Sequence, residues 1–221
     1  MKKCMVVGLG VFGRELAMDL TQRGAEVIAI DDNMELVEAI QDKIAYAVRL
    51  DATDEYALAS LGLEDIDLAV VCIGEDFQSN LLAAVNLIEL GVKRVIARAS
   101  NPTQRRILRA VKVDMIIEPE IEAAKRLAFK LVHRGLMDIN FIAKDIATAR
   151  LAVPPSFVGK SLKEIALRAK YGVNLIAIYS AEKVGTTAVN SNPSADTVFQ
   201  EGDVLLVIGN EEDLQKLSKL E

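Results

Sequence analysis

Three glycines spaced as Gly8-x-Gly10-x-x-Gly13, with Val11 and Phe12 between the last two, follow an apolar run and open a helical pattern. That arrangement suits phosphate. The first glycine permits a tight strand-to-helix turn. The second removes the side chain that would hold an anion away from the backbone, and the third lets the helix pack close to the strand. Unbonded N–H groups at the helix start then face the anion. About 20 residues further on, Asp31 and Asp32 close the next apolar run, where a carboxylate can accept hydrogen bonds from ribose hydroxyls. The same charge repels a 2′-phosphate, which argues against NADP. A glycine triplet alone is a weak signal. Strand before, helix after and acid at the right distance together make it a strong one.

The elements that position these residues read as follows. Apolar runs at 4–7, 26–30, 46–50, 68–73, 92–97 and 114–117 are predicted strands, with a helical pattern in each gap up to the fifth. Strands alternating with helices form right-handed βαβ units and a parallel sheet. Phe12, Leu16 and Leu20, and later Leu81, Leu82, Val85 and Ile88, are core-facing stripes of helices. The predicted fold class is therefore α/β, with a Rossmann-type nucleotide-binding domain over 1–118. Glu118-Pro119-Glu120 interrupts the pattern, and a linking helix over 119–137 ends at Gly135. Its stripe of Ile121, Ala124, Leu127, Ala128 and Leu131 needs cover from a partner subunit or the next domain. Residues 138–221 read as a small α+β domain. Its strands are predicted at 146–153, 173–178 and 204–208, and turns at Pro154-Pro155, Gly159, Gly185 and Asn192-Pro193. A helix over 161–170 is opened by the capping box of Ser161 and Glu164, and another covers 211–220.

Bulk properties narrow the function classes. The chain has 221 residues, 51% of them hydrophobic, and a formal net charge of −6. Acidic balance argues against nucleic-acid partners, which favour a basic face. No apolar run approaches a membrane span, and the first residues show no signal-peptide pattern, so a cytoplasmic protein without direct membrane insertion is expected. Cys4 and Cys72 fall in predicted buried strands and read as small core hydrophobes. His133, the one histidine, reads as a helix-end surface residue. Without it no Ser-His-Asp or Cys-His set is possible, and no zinc-ligand spacing occurs. The chain thus reads as a non-enzyme. The competing reading is an NAD-dependent oxidoreductase with a small substrate domain.

Further motifs carry a family resemblance. They are AIDDN at 29–33, LDATDEYAL at 50–58, CIGED at 72–76 and IIEPE at 116–120. In the second part come GKSL at 159–162, LRAKYGVNLIAI at 167–178 and EGDVL at 201–205. In order and spacing the chain resembles the RCK family, regulators of potassium conductance of the Trk/Ktr uptake class. The resemblance implies a nucleotide-binding domain, a crossover helix and a C-terminal regulatory domain. It also implies dimers assembled into an octameric ring beneath a membrane-embedded potassium-conducting subunit, with ATP, ADP or NAD(H) as ligand. By position, Gly8, Gly10, Val11, Phe12 and Gly13 would bracket the phosphates, and Asp31, Asp32 and Asn33 would hold the ribose. Asp51, Ala52 and Thr53 would lie beside the adenine, with Ile73, Gly74 and Glu75 on the far wall. Arg98, Ala99 and Ser100 would end the fifth strand near phosphate, and Glu120 would sit by the phosphates and help bind a divalent cation. Arg168, Tyr171 and Asn174 match positions for cyclic di-AMP, a second ligand of some members. Many relatives carry arginine where this chain has Val11 and use it to sense the outermost phosphate across the dimer. Valine cannot do this, which shifts the expectation toward NAD(H), with Arg14 as the substitute cation if ATP is read.

Overall fold

The computed structural model describes residues 2–132, 135–181 and 187–220, with the side chains of residues 181 and 187 excepted. His133 and Gly185 lie outside the described residues. The chain divides into two compact units, Met1–Ile121 and Glu122–Glu221.

The first unit alternates strand and helix. Its elements are β1 (Lys3–Val7), α1 (Val11–Gln22), β2 (Glu26–Asp31), α2 (Met34–Glu38), β3 (Tyr46–Arg49) and α3 (Glu55–Ala59), then β4 (Leu68–Val71), α4 (Phe77–Glu89), β5 (Val95–Arg98), α5 (Pro102–Ala110) and β6 (Met115–Ile117). The strands form one sheet in the order β3-β2-β1-β4-β5-β6, parallel throughout. Side chains alternate across each strand, so the sheet feeds two cores. Met5 and Val7 pack in a layer with Ala83, Ala84 and Leu87 of α4. Cys4 and Val6 pack in the other, with Ala17 of α1. Both faces being covered explains the nearly continuous apolar runs. Chain order reverses between β1 and β4, and in such sheets the crevice for ligands opens there, beyond the carboxyl ends of the strands. At the amino ends sit ion pairs instead: Lys3 with Asp65 at 3.2 Å and Lys93 with Asp67 at 2.7 Å.

The predicted fifth strand starts three residues early. Gly91 has φ +80°, and the Val92 N–H bonds back to the Leu87 carbonyl, so residues 91–94 finish the helix turn before β5 begins.

Both cysteines are free and buried in the α1-side layer, as the sequence implies. Burial pushes the Cys72 thiol up to about 12, and the Cys4 thiol is raised for the same reason. Because the thiolate is the reactive form, iodoacetamide at pH 8 is expected to leave both unmodified in the folded chain and to label both in guanidinium. Equal labelling rates in the two conditions would contradict the packing.

The second unit holds most of α6 (Pro119–Val132), which has proline at its first position. After it come β7 (Leu136–Ala143), β8 (Ile146–Ala152), α7 (Leu162–Ile165), α8 (Leu167–Tyr171), β9 (Asn174–Ala181), β10 (Thr187–Asn190), β11 (Val204–Asn210) and α9 (Glu211–Leu217). The sheet order is β10-β9-β11-β8-β7, antiparallel. Two of these strands escape the sequence pattern. β7 shifts register twice against β8, so its apolar residues do not alternate, and β10 is a four-residue edge strand. The predicted helix over 161–170 is two helices. Its capping box forms as expected, but Ala166 takes a left-handed conformation at φ +54° and ends the first of them. Of the α6 stripe, Leu127 and Leu131 are 56% and 71% exposed; the buried residue is Phe129, edge-on to Phe141 at 5.7 Å. Among the described residues no helix is long and apolar enough to cross a membrane.

Candidate functional site

The glycines behave as their spacing predicts. Gly8 leaves β1 at φ +92°, its N–H bonded to the Ile30 carbonyl at 2.8 Å. A Cβ at Gly13 would lie 1.8 Å from the Gly8 carbonyl oxygen, so α1 can cross the loop only because that residue is glycine. Gly10 differs: a Cβ there meets nothing within 4 Å and would point into open space.

The helix starts around this crevice are unequal. Asn33, Asp54, Asp76 and Asn101 cap α2, α3, α4 and α5 with their own side chains. Gly10 provides no side-chain cap for α1, and the first turn of α1 carries no acid. Its leading N–H groups and positive dipole end therefore suit an external anion. Val11 stands 77% exposed at this point, and Phe12 is half-buried toward the sheet.

Asp31, the last residue of β2, is half-buried and already engaged. Its Oδ2 accepts from the Leu9 N–H at 2.6 Å and its Oδ1 from the Asn33 N–H at 2.9 Å. This acid thus holds the glycine loop, a duty the spacing alone does not reveal. Asp32 is exposed, and its carbonyl accepts from Arg49 Nε at 2.9 Å. The Asn33 side-chain oxygen is committed to the Glu35 N–H of α2, so its first role is that of a cap.

Beyond β3, Asp51 is exposed and Ala52 buried, and Asp51 Oδ1 accepts from both the N–H and the hydroxyl of Thr53. Beyond β4, Ile73 lies over Gly8, Glu75 is exposed, and Asp76 follows as the α4 cap. The Ser79 hydroxyl and local N–H groups hold the Asp76 carboxyl below the usual carboxylate range.

Arg98 ends β5 with its side chain only 18% exposed. Its guanidinium lies against Gly74, where a Cβ would come within 2.5 Å of Nη1, and Nη2 donates to Glu120 Oε1 at 2.5 Å. Its Nε is buried without a partner. Ala99 is buried and donates to the Ile117 carbonyl, and Ser100 is exposed, with its N–H on Gln104 Oε1. Glu120 is the residue expected to help bind a divalent cation. Glu120 faces a guanidinium, and no group of three or more potential metal ligands gathers among the described residues. The Arg98 bond engages one carboxylate oxygen of Glu120, whose side chain is 58% exposed.

In the second unit, Arg168 and Asn174 are exposed. Tyr171 instead packs on Phe157, with ring centroids 5.6 Å apart. Gly172 closes α8 at φ +71° against Asp213, where a Cβ would collide with the carboxylate.

Comparison with known proteins agrees with this layout. The TrkA-N domain profile matches residues 4–119 and the TrkA-C domain profile residues 146–221. The Ktr system potassium uptake protein C of Bacillus subtilis (strain 168) is 32% identical, over 99% of this chain and 96% of its own length. The Ktr system potassium uptake protein A of Vibrio alginolyticus is 30% identical, over 99% and 98%. Among solved structures, the GsuK channel bound to NAD shares the fold with a TM-score of 0.64 at 19% identity; the match covers 99% of this chain and 39% of that longer one. With both domain profiles matched in order and these relatives aligned nearly end to end, the chain belongs to the TrkA-N/TrkA-C family, together with these Ktr system potassium uptake proteins.

Proposed function

We propose that the chain is a nucleotide-sensing regulatory subunit that gates a membrane-embedded potassium-conducting subunit of the Trk/Ktr type. The observation that carries this reading is the bare start of α1, uncapped and free of acids beside a glycine cradle, while neighbouring helices cap themselves. Phosphates of NAD(H), ATP or ADP supply the missing cap. Arg98, with an unpartnered buried donor, is the cation facing them, and Asp31 and Asp32 take the ribose. Exposed Val11 offers no charge to a terminal phosphate, which favours NAD(H). Residues 1–118 form the sensing domain, 119–137 the crossover helix and 138–221 the regulatory domain, where Arg168, Tyr171 and Asn174 are the candidate contacts for cyclic di-AMP. The names of the aligned relatives support the transport role, and the exposed Leu127 and Leu131 support assembly into dimers and a ring. The subunit works from the cytoplasmic face, bound to the membrane through its partner.

Gating is a population shift: a nucleotide that binds one ring shape better favours that shape. A nearly complete shift takes about 5.5 kcal/mol of differential affinity. Shared among the sites of a ring, each contribution is within reach of one charge-assisted hydrogen bond. The test has two parts. Calorimetric titration of ATP, ADP, NAD and NADH should show saturable binding of at least one, and that nucleotide should alter potassium flux in vesicles holding the chain with a Ktr-type membrane subunit. Binding by none at millimolar concentration, or flux indifferent to the nucleotide that binds, overturns the proposal.

A further inference from the structure

Helix α4 carries an asparagine at a costly position. Asn86 is 8% exposed, in a helix whose Ala83, Ala84 and Leu87 are fully buried. Leucine suits such a site better both in helix propensity and in burial. The amide is occupied by a distant loop: its Nδ2 donates to the Ala52 carbonyl at 3.2 Å and to the Thr53 carbonyl at 3.0 Å. Without that donor, two carbonyls turned toward α4 would lose their partner.

The consequence runs along the loop. No peptide in the described chain is cis, so each N–H points opposite to the carbonyl of its own peptide. Pinning the Ala52 carbonyl to α4 turns the Thr53 N–H away from α4, onto Asp51 Oδ1 at 2.9 Å. Pinning the Thr53 carbonyl turns the Asp54 N–H the same way, onto the Asp51 carbonyl at 3.1 Å. The Thr53 hydroxyl adds a second bond to Oδ1, at 2.7 Å. One carboxylate oxygen of Asp51 is thereby fixed. The other, Oδ2, has no partner among the described residues and remains an acceptor at the crevice rim.

We propose that Asn86 is a positioning residue: by fastening the Ala52 and Thr53 carbonyls to α4 it aims the open oxygen of Asp51 at the exocyclic amine of a bound adenine. The inference rests on the nucleotide reading above and adds to it how the base is told apart. The chemistry selects an amine. A carboxylate oxygen accepts from N–H, and it repels the carbonyl that hypoxanthine carries at the same ring position. A site built to hydrogen-bond one group rejects analogues lacking it far better than an apolar pocket does.

The test titrates ADP and inosine diphosphate into the unaltered chain and into Asn86→Leu. The unaltered chain should prefer ADP by about 10-fold or more, the effect of one hydrogen bond to a charged group. Asn86→Leu should retain a cooperative melt and bring the two affinities within about 3-fold of each other. A purely structural role would weaken both ligands alike and keep their ratio. An unchanged ratio in folded Asn86→Leu overturns the inference, and so does an unaltered chain that binds both ligands without preference. An unaltered chain that binds neither overturns this inference, and the nucleotide reading falls with it only if ATP, NAD and NADH fail to bind as well. If Asn86→Leu does not fold, Asn86→Ser, too short to reach both carbonyls, is judged on the same ratio.

Discussion

Alanine at Gly13 is expected to disrupt the first unit, whereas alanine at Gly10 is expected to leave it folded and poor at holding phosphate. At Gly13 the added carbon would lie 1.8 Å from the Gly8 carbonyl oxygen and 3.1 Å from Cys72 Cβ. The obstacle is backbone, so α1 must move off the sheet. Overpacking costs about 1–3 kcal/mol when side chains can adjust, and more when they cannot. Against a total stability of roughly 5–15 kcal/mol, a fall in Tm of about 10 °C or outright unfolding follows. Gly10 has φ −54°, which alanine adopts freely, and the space beside it is open. Its replacement should cost under about 1 kcal/mol, the difference between glycine and alanine at a helix cap. The methyl would nevertheless occupy the path of the phosphate, and ADP affinity should drop by about 100-fold, the factor attached to an ångström-scale displacement of bound groups. Thermal melts and calorimetry on the two variants separate these outcomes. A stable Gly13→Ala, or a Gly10→Ala that binds normally, would contradict the cradle.

Asp31→Ala should lower stability and affinity together, because the proposed ribose contact falls on the carboxylate that holds the glycine loop. It accepts from the N–H groups of Leu9 and Asn33, and Leu9 itself is fully buried. Bonds to a charged acceptor contribute about 1.5–3 kcal/mol when sheltered, and the half-exposed position calls for the lower end. The melt should move down by roughly 5 °C. Loss of the ribose bonds should cost about another 100-fold in nucleotide affinity. Asp32→Ala, at the exposed neighbour, is the control and should shift the melt far less. If Asp31→Ala melts like the unaltered chain, the loop-holding role is wrong. If it binds ADP as tightly, the sugar role is wrong.

The first unit was legible because doubly covered parallel strands write themselves as apolar runs, and because Gly8 and Gly13 answer to backbone constraints that no other residue meets. The second unit was less so. An antiparallel strand is read from alternation, and two register shifts in β7 erase it. The left-handed Ala166 carries no residue-type signal, since glycine or asparagine is the usual sign of such a break. The pairing of Arg98 with Glu120 and the reach of Asn86 to Ala52 join residues 22 and 34 positions apart, and only the closed sheet brings them together. Even the legible Asp31 concealed its second duty, because spacing locates a carboxylate without saying which N–H groups claim it.

The sheet also separates its working rim from a plain one. All candidate binding loops follow carboxyl ends of strands, while Lys3, Asp65, Asp67 and Lys93 form surface pairs at the amino ends. Exposed pairs of this kind contribute little to folding. A fluorescent dye or a tether for single-molecule work can therefore be attached at Lys93 with the crevice undisturbed, giving an optical handle on the first unit during a nucleotide titration.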